Sequence, residues 1–266
     1  MNFIEHNDNG VVWMTAPNLT ARHAFTTRFG GVSGDIWASL NLGEHRGDEP
    51  ENVRENYRRV KQATGIDTDR LVFTRQVHGR EVRIATEADI HTLFTPVPYE
   101  ADGLVTNIPG LPITCFIADC VPLLMEDTRH GVIAAVHCGW RSTVQDIMAA
   151  AVEKMLLLGA QPGEIRAAIG ESIGACCFET GPEVPEAVYA LLPDWHEGLV
   201  RPGKTPDKSY VDLREAIRRR LVQLGVPAEQ IAVSDECTMC RPDKYWSHRA
   251  TKGQRGHQAA MIVLDD

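Results

Sequence analysis

The sequence predicts a single α+β domain with helices and strands mixed along its whole length. Short apolar runs of strand length, bounded by glycine and proline, recur through the 266 residues, and longer segments with helical apolar spacing lie between them. A hydrophobic content of 43% is enough for a large core, and no linker-like shift in composition separates two halves.

In chain order, ENVRENYRRVKQATG (51–65) places Val53, Tyr57 and Val60 on one face, with Pro50 before it and Gly65 after it, which predicts a helix. LVFTRQVHGREVRIAT (71–86) alternates, with Leu71, Phe73 and Val77 on one side and Val72, Thr74, Gln76 and His78 on the other. A strand is expected here, turning at Gly79-Arg80 and returning through Val82 and Ile84. LPITCFIADC (111–120) and GVIAAVHC (131–138) read as buried strands, as do EIRAAIG, QIAVSDECT and HQAAMIVL. STVQDIMAAAVEKMLLLGA reads as one helix from a Ser/Thr cap to Gly159. VDLREAIRRRLVQLGV, with Leu213, Ile217, Leu221 and Leu224 at helical spacing, reads as another ending at Gly225.

Lys and Arg number 27 against 36 Asp and Glu, a net charge of −9, which argues against a nucleic-acid partner. No run approaches the ~20 apolar residues that span a bilayer, so no membrane partner is expected. The opening MNFIEHNDNG lacks the basic and apolar regions of a signal peptide. Seven cysteines in such a chain read as reduced thiols, and a cytoplasmic location is expected.

Three chemically capable residues fall at expected strand ends: His78 in RQVH, Cys120 in IADC and His137 in AAVH. Imidazole and thiolate suit zinc, with a fourth position left for water. On spacing alone, a metal centre and a pair of satisfied core histidines beside an inert thiol both remain open. Arg141, just before an expected helix start, suits an anion. TTRFGGVSGDIWASLNLG (26–43) is a glycine-rich loop carrying Arg28 and Asn41, either a ligand-approaching backbone or a plain turn. YWSHRATKGQRGHQ (245–258) reads as a solvated basic loop, with Arg249 a candidate to face a substrate anion. CTMC (237–240) has metal or redox spacing, and Cys176-Cys177 would complete four thiolates. Adjacent cysteines rarely share an ion, so a single ligand set is expected in the chain.

Taken in order, TTRFGGVSGDIWASLNLG, RQVHG, ADGLVTNIPGLPITCFIADCVPLL, AAVHCGWRST, AAIGESIGACCFETG and DECTMCRPDKYWSHRATKGQRGHQAAMIVL resemble the laccase-domain family, once labelled polyphenol oxidase and also called YfiH-like. The resemblance runs from about residue 20 to the C-terminus. It implies an α/β/β/α layered sandwich with mixed sheets. It also implies a zinc-dependent purine nucleoside phosphorylase, acting with phosphate on adenosine, inosine, guanosine or methylthioadenosine, that deaminates adenosine as well. The family's zinc ligands fall on His78, Cys120 and His137. Three departures bear on the pocket: HCGWRST brings Cys138 and Ser142, IGESIG brings Glu171, and SHRA brings His248 and Ala250.

Within that chemistry, Arg28, Arg141 and Arg249 are the candidates to hold phosphate, and Trp140 is expected to wall the pocket. Asp119 is expected to support Cys120 or move a proton, and Asn41 to bond ribose or base. Rival readings are a zinc amidohydrolase editing cell-wall precursors, a copper phenol oxidase, and a metal-free hydrolase with Cys120 as nucleophile and His137 as base. The copper reading is poor, since ten histidines include no HxH pair.

Overall fold

In the computed structural model, which describes residues 2–265, two sheets pack face to face between helices. The chain opens with β1 (Ile4–Asp8), β2 (Val11–Thr15) and β3 (Arg22–Thr26), then α1 (Pro50–Thr64), β4 (Val82–Ile84), β5 (Gly103–Thr106), β6 (Ile113–Ile117), β7 (Val121–Asp127) and β8 (Val132–Cys138). It continues with α2 (Trp140–Val144), α3 (Ile147–Leu157), β9 (Arg166–Ile169), β10 (Glu179–Thr180), α4 (Glu183–Leu191), β11 (Val200–Pro202), β12 (Ser209–Val211), α5 (Leu213–Gln223), β13 (Ile231–Val233), α6 (His248–Thr251) and β14 (Gln258–Val263).

One sheet has the order β1-β2-β3-β14-β6 and is antiparallel throughout. The other, β13-β9-β7-β8-β5-β4, is mixed, because β4 runs parallel to β5 and β13 parallel to β9. A small third sheet, β10-β12-β11, lies apart from both.

Alternation along the strands builds three apolar layers. Phe25, Ile113, Cys115, Ala260 and Ile262 of the first sheet meet Leu104, Leu124, Ile133, Ala135 and Ala168 of the second between the sheets. The opposite faces of the second sheet's strands, Val105, Leu123, Met125, Ala134 and Val136, bury against α3 and α5. Across the first sheet, Ala24, Ala259 and Met261 bury against Val53, Tyr57 and Val60 of α1. These layers form the expected α/β/β/α sandwich.

The expected helix 51–65 forms as read, and Gly65 closes it at φ 71 with its amide on the Lys61 carbonyl. The region 142–160 departs from expectation. It divides into α2 and α3 at Asp146, which sits at φ 65 and caps α3 by accepting from Ala149 N. Arg220 clamps the same carboxylate at 2.8 Å. Asp146→Ala should therefore cost about 1–2 kcal/mol in urea unfolding, and Asp146→Asn less, because asparagine tolerates the left-handed backbone and can still cap.

The expected hairpin over 71–86 is also absent. Residues 71–80 hold only isolated bridges, at Val72 and Arg75, and β4 pairs in parallel with β5. The alternation fails too, since Leu71, Val72 and Phe73 are all buried while Val77 is exposed.

Candidate metal centre and its cavity

Sheet register brings the ligands together. Along β7 and β8, Pro122 pairs with His137, so the turn before β7 places Cys120 next to the end of β8. On the other side β5 pairs with β8, and the residue before it, Asp102, accepts the His137 amide on its carbonyl at 2.7 Å. The Asp102 carboxylate then takes His137 Nδ1 at 2.7 Å, leaving Nε2 free. It also accepts the amides of Val77, His78 and Gly79 at 3.0, 2.9 and 2.8 Å. One buried aspartate thus orients two of the three candidate ligands.

His78 is not at a strand end. It sits in a bend at φ 61, held by those amide bonds, and Asp119 beside Cys120 stands at φ 83. Such left-handed conformations in non-glycine residues cost of order 1 kcal/mol or more and cluster at sites that need a particular aim.

The Cys120 Sγ to His78 Nε2 distance is 3.8 Å, and the donor atoms of His78, Cys120 and His137 all lie within 4.8 Å of one another. Donors around a tetrahedral zinc at ~2.0–2.3 Å stand roughly 3.5 Å apart, so this nitrogen, nitrogen and sulfur set fits the ion. Gly139 makes that approach feasible: a Cβ there would stand 2.6 Å from the His78 ring and 3.5 Å from Cys120 Sγ. Burial alone would raise the Cys120 thiol, but the neighbouring His137 and His78 outweigh it and bring it down to about 6. The thiolate form that binds a metal is favoured before any ion arrives. Burial likewise opposes a lowered Asp102 carboxyl, yet the His137 bond and the amide donors hold it below the usual range.

The triad forms the floor of a cavity of about 540 Å³. Phe73 and Phe116, edge to face at 5.0 Å, line it with Val97 and Ala118. Arg46 and Arg255 also line it. Arg255 Nε is buried with no hydrogen-bond partner among the described residues. Burial and the nearby Arg46 charge push the Arg255 guanidinium down to about 10. An exposed Arg46 and a partly buried Arg255 thus put two mutually repelling guanidinium groups on one side of the cavity, a lining that favours an anion.

The other residues singled out by sequence lie outside this lining. Arg28 stacks on Trp246 at 4.1 Å and donates to the Ala38 and Pro242 carbonyls. Arg141 is exposed on α2 and stacks on Trp140, which packs against the core layer under the second sheet instead of walling the cavity. Arg249 reaches the Glu179 carbonyl at 3.0 Å. Asp119 is engaged at both oxygens, by Thr238 Oγ1 at 2.7 Å and by the Arg249 amide at 2.6 Å, so it braces the Cys120 turn. Asn41 is fully buried behind the cavity, where its Oδ1 accepts the amides of Gly43 and His257, two residues that do line it.

The glycine-rich loop approaches its own chain, since a Cβ at Gly31 would lie 2.0 Å from the Ser39 carbonyl oxygen. Nor is 245–258 a wholly solvated loop, since Tyr245 and Trp246 are buried. The expectation of one ligand set is overturned as well: Cys176, Cys177, Cys237 and Cys240 form a second group of convergent donors.

Residues 22–265 match the family described as multi-copper polyphenol oxidoreductase laccase. The chain belongs to this family. A purine nucleoside phosphorylase of Deinococcus radiodurans is 39% identical over 256 residues, covering 96% of this chain and 94% of the relative. Adenosine deaminase RL5, from an unknown prokaryotic organism, is 36% identical over 88% of this chain and 90% of its own. The solved structure of YlmD from Geobacillus stearothermophilus superposes with a TM-score of 0.93 at 31% identity, covering both chains fully.

Among the departures, Glu171 lies outside the cavity lining and is fully buried; burial raises its carboxyl to about 7 against an ordinary 4.5. Its folded-state pKa exceeds the unfolded value. The stability it contributes is therefore full below pH 4.5 and is lost as pH rises through about 7. Glu171→Gln should be more stable than wild type at pH 8 by on the order of 2–3 kcal/mol, with the gap closing at pH 4.5. Urea unfolding at the two pH values measures it; equal stability of the two proteins at pH 8 would contradict the buried-acid account.

Proposed function

We propose that this chain is a zinc-dependent purine nucleoside phosphorylase that also deaminates adenosine, with both reactions run in the one cavity. The observation that carries the reading is the convergence of three parts: a soft metal-ligand triad on the floor, an aromatic wall, and a paired arginine wall with an unused buried donor. The names of the Deinococcus relative and of RL5 support the two activities.

His78, Cys120 and His137 would hold the zinc, which when bound supplies Lewis acidity and lowers the pKa of a water to about 7. Of the perpendicular Phe73 and Phe116 rings, one stacks on the purine and the other meets its edge, and together they exclude water from that side of the base. Arg255 and Arg46 hold the phosphate and neutralise part of its charge; the phosphate, aligned on the anomeric carbon, offsets the positive charge that develops on the sugar as the base leaves with the bonding electrons. Asp102 keeps His137 in the tautomer that presents Nε2 to the cavity. Deamination adds water at the amino-bearing carbon of the base and releases ammonia, and phosphorolysis adds phosphate at the anomeric carbon and releases the base.

A thiol hydrolase is the second reading, because Cys120, His137 and Asp102 are ordered as nucleophile, base and orienting acid. His78 serves either reading, since it lowers the Cys120 thiol and also offers a third metal donor 3.8 Å from the sulfur; activity in metal-free protein separates the two.

The test uses purified protein of known metal content, incubated with adenosine with and without phosphate. Inosine alone is expected without phosphate. Free base and ribose 1-phosphate should appear when phosphate is added. Full activity in metal-free protein would overturn the proposal, as would no turnover of adenosine, inosine or guanosine by the zinc-loaded protein. Arg255→Ala should raise the phosphate KM roughly 10- to 100-fold with zinc content unchanged, as loss of a charge-assisted hydrogen bond of about 1.5–3 kcal/mol predicts. An unchanged KM would remove Arg255 from the anion site.

A further inference from the structure

β9 and β13 run parallel and adjacent, and the Ser172–Cys237 bridge prolongs their pairing. The loops leaving these two strand ends carry Cys176-Cys177 and Cys237–Cys240. Cys240 Sγ stands 3.6 Å from Cys176 Sγ and 3.5 Å from Cys177 Sγ, and all four sulfurs lie within 4.8 Å of one another. No two of them are bonded; all four are free thiols.

These separations discriminate between chemistries. A disulfide holds its sulfurs at ~2.05 Å. Thiolates on a tetrahedral zinc at ~2.3 Å stand roughly 3.8 Å apart. The two separations, with all four sulfurs within 4.8 Å, exclude a disulfide and fit a tetrathiolate cage. The adjacency of Cys176 and Cys177 is no obstacle, because a tight turn, with the amides of both Cys177 and Phe178 on the Gly174 carbonyl at 2.9 Å, carries both thiols to the same side. The backbone supports negative sulfur: Gly174 N donates to Cys237 Sγ at 3.2 Å. Two cations border the cluster. Arg214 binds the Ser234 and Glu236 carbonyls just before Cys237, and Arg201 binds the Ala175 carbonyl just before Cys176.

We propose that Cys176, Cys177, Cys237 and Cys240 form a second metal site, a closed tetrathiolate zinc centre with a structural role. With all four positions taken by protein sulfur, nothing is left for a substrate. Its consequence for the cavity runs through Thr238, which lies inside the CTMC turn and donates to Asp119, the neighbour of Cys120. Zinc in the cage fixes that turn, and the turn fixes Asp119. The site stands independently of the reaction assigned to the cavity.

Elemental analysis of the full chain tests it. Wild type should hold two zinc ions per chain and Cys120→Ala one, and Cys120→Ala/Cys240→Ser, with three thiolates left, should give its ion up to a chelator that leaves Cys120→Ala loaded. Cobalt-exchanged Cys120→Ala should show the intense sulfur-to-cobalt charge-transfer and tetrahedral d–d absorption of a multi-thiolate site, and the double variant should show weaker charge-transfer bands. Zinc-free Cys120→Ala protein overturns the proposal, as does a disulfide between any of the four cysteines in protein purified without oxygen. Should the double variant fail to fold, the metal content and cobalt spectrum of Cys120→Ala decide the question alone.

Discussion

Cys120→Ala should lose one zinc ion per chain and, with it, both adenosine deamination and phosphorolysis, each by at least about 10³-fold. The thiolate is one of three protein ligands, and the two imidazoles left behind, His78 and His137, are a poor set for zinc. The fold should survive, because the replaced group faces the cavity and makes no backbone hydrogen bond. Elemental analysis together with product chromatography on the same preparation measures both effects. A variant that still deaminates but no longer phosphorolyses would place the two reactions in separate sites.

Asp102→Ala should have the next largest effect, although Asp102 touches neither metal nor substrate. Its carboxylate holds His137 Nδ1 and three successive amides around His78, so removal frees one ligand ring and releases the other from its left-handed backbone. Loss of such an orienting carboxylate typically costs 10- to 100-fold in metal affinity or activity. The loss of three amide bonds puts Asp102→Ala at the upper end of that range and Asp102→Asn lower. Chelator competition titrations read the affinity directly. Wild-type affinity in Asp102→Ala would show that the Val77–Gly79 segment holds itself in place.

The helices with clear caps and the buried strands were legible in the sequence, because local apolar spacing and terminal glycines determine them. α1 and α5 are examples. The convergence of His78, Cys120 and His137 as candidate metal donors was expected as well, through motif context, whereas their spacing left it open. What failed locally was decided at long range. The segment ending at His78 reads as a strand, but its amides bond to a carboxylate 24 residues away in the case of His78 itself. Asp102 sits in ADGLVT, among apolar neighbours that give it no local signal. The single expected helix over 142–160 breaks because one aspartate adopts a positive φ, which composition does not announce. Arg255 lies in the same basic stretch as Arg249. Charge pointed to the stretch, but only packing decides which guanidinium is buried over the cavity. The thiol cage shows the same limit: its two cysteine pairs meet because β9 and β13 are neighbours, a fact of topology.

The bend at His78, the turn at Cys120 and the end of β8 at His137 belong to segments 42 (120 − 78) and 17 (137 − 120) residues apart. An unfolded chain does not hold their donor atoms in one place, so an ion bound there binds the native state alone. Every tenfold excess of free zinc over its dissociation constant then adds about 1.4 kcal/mol to the native state. With zinc bound as proposed, the triad would act as a thermodynamic latch as well as a chemical centre. Chains made where zinc is scarce would then unfold more often and be the first exposed to proteases. Metal supply would set how many copies persist as well as how many are active.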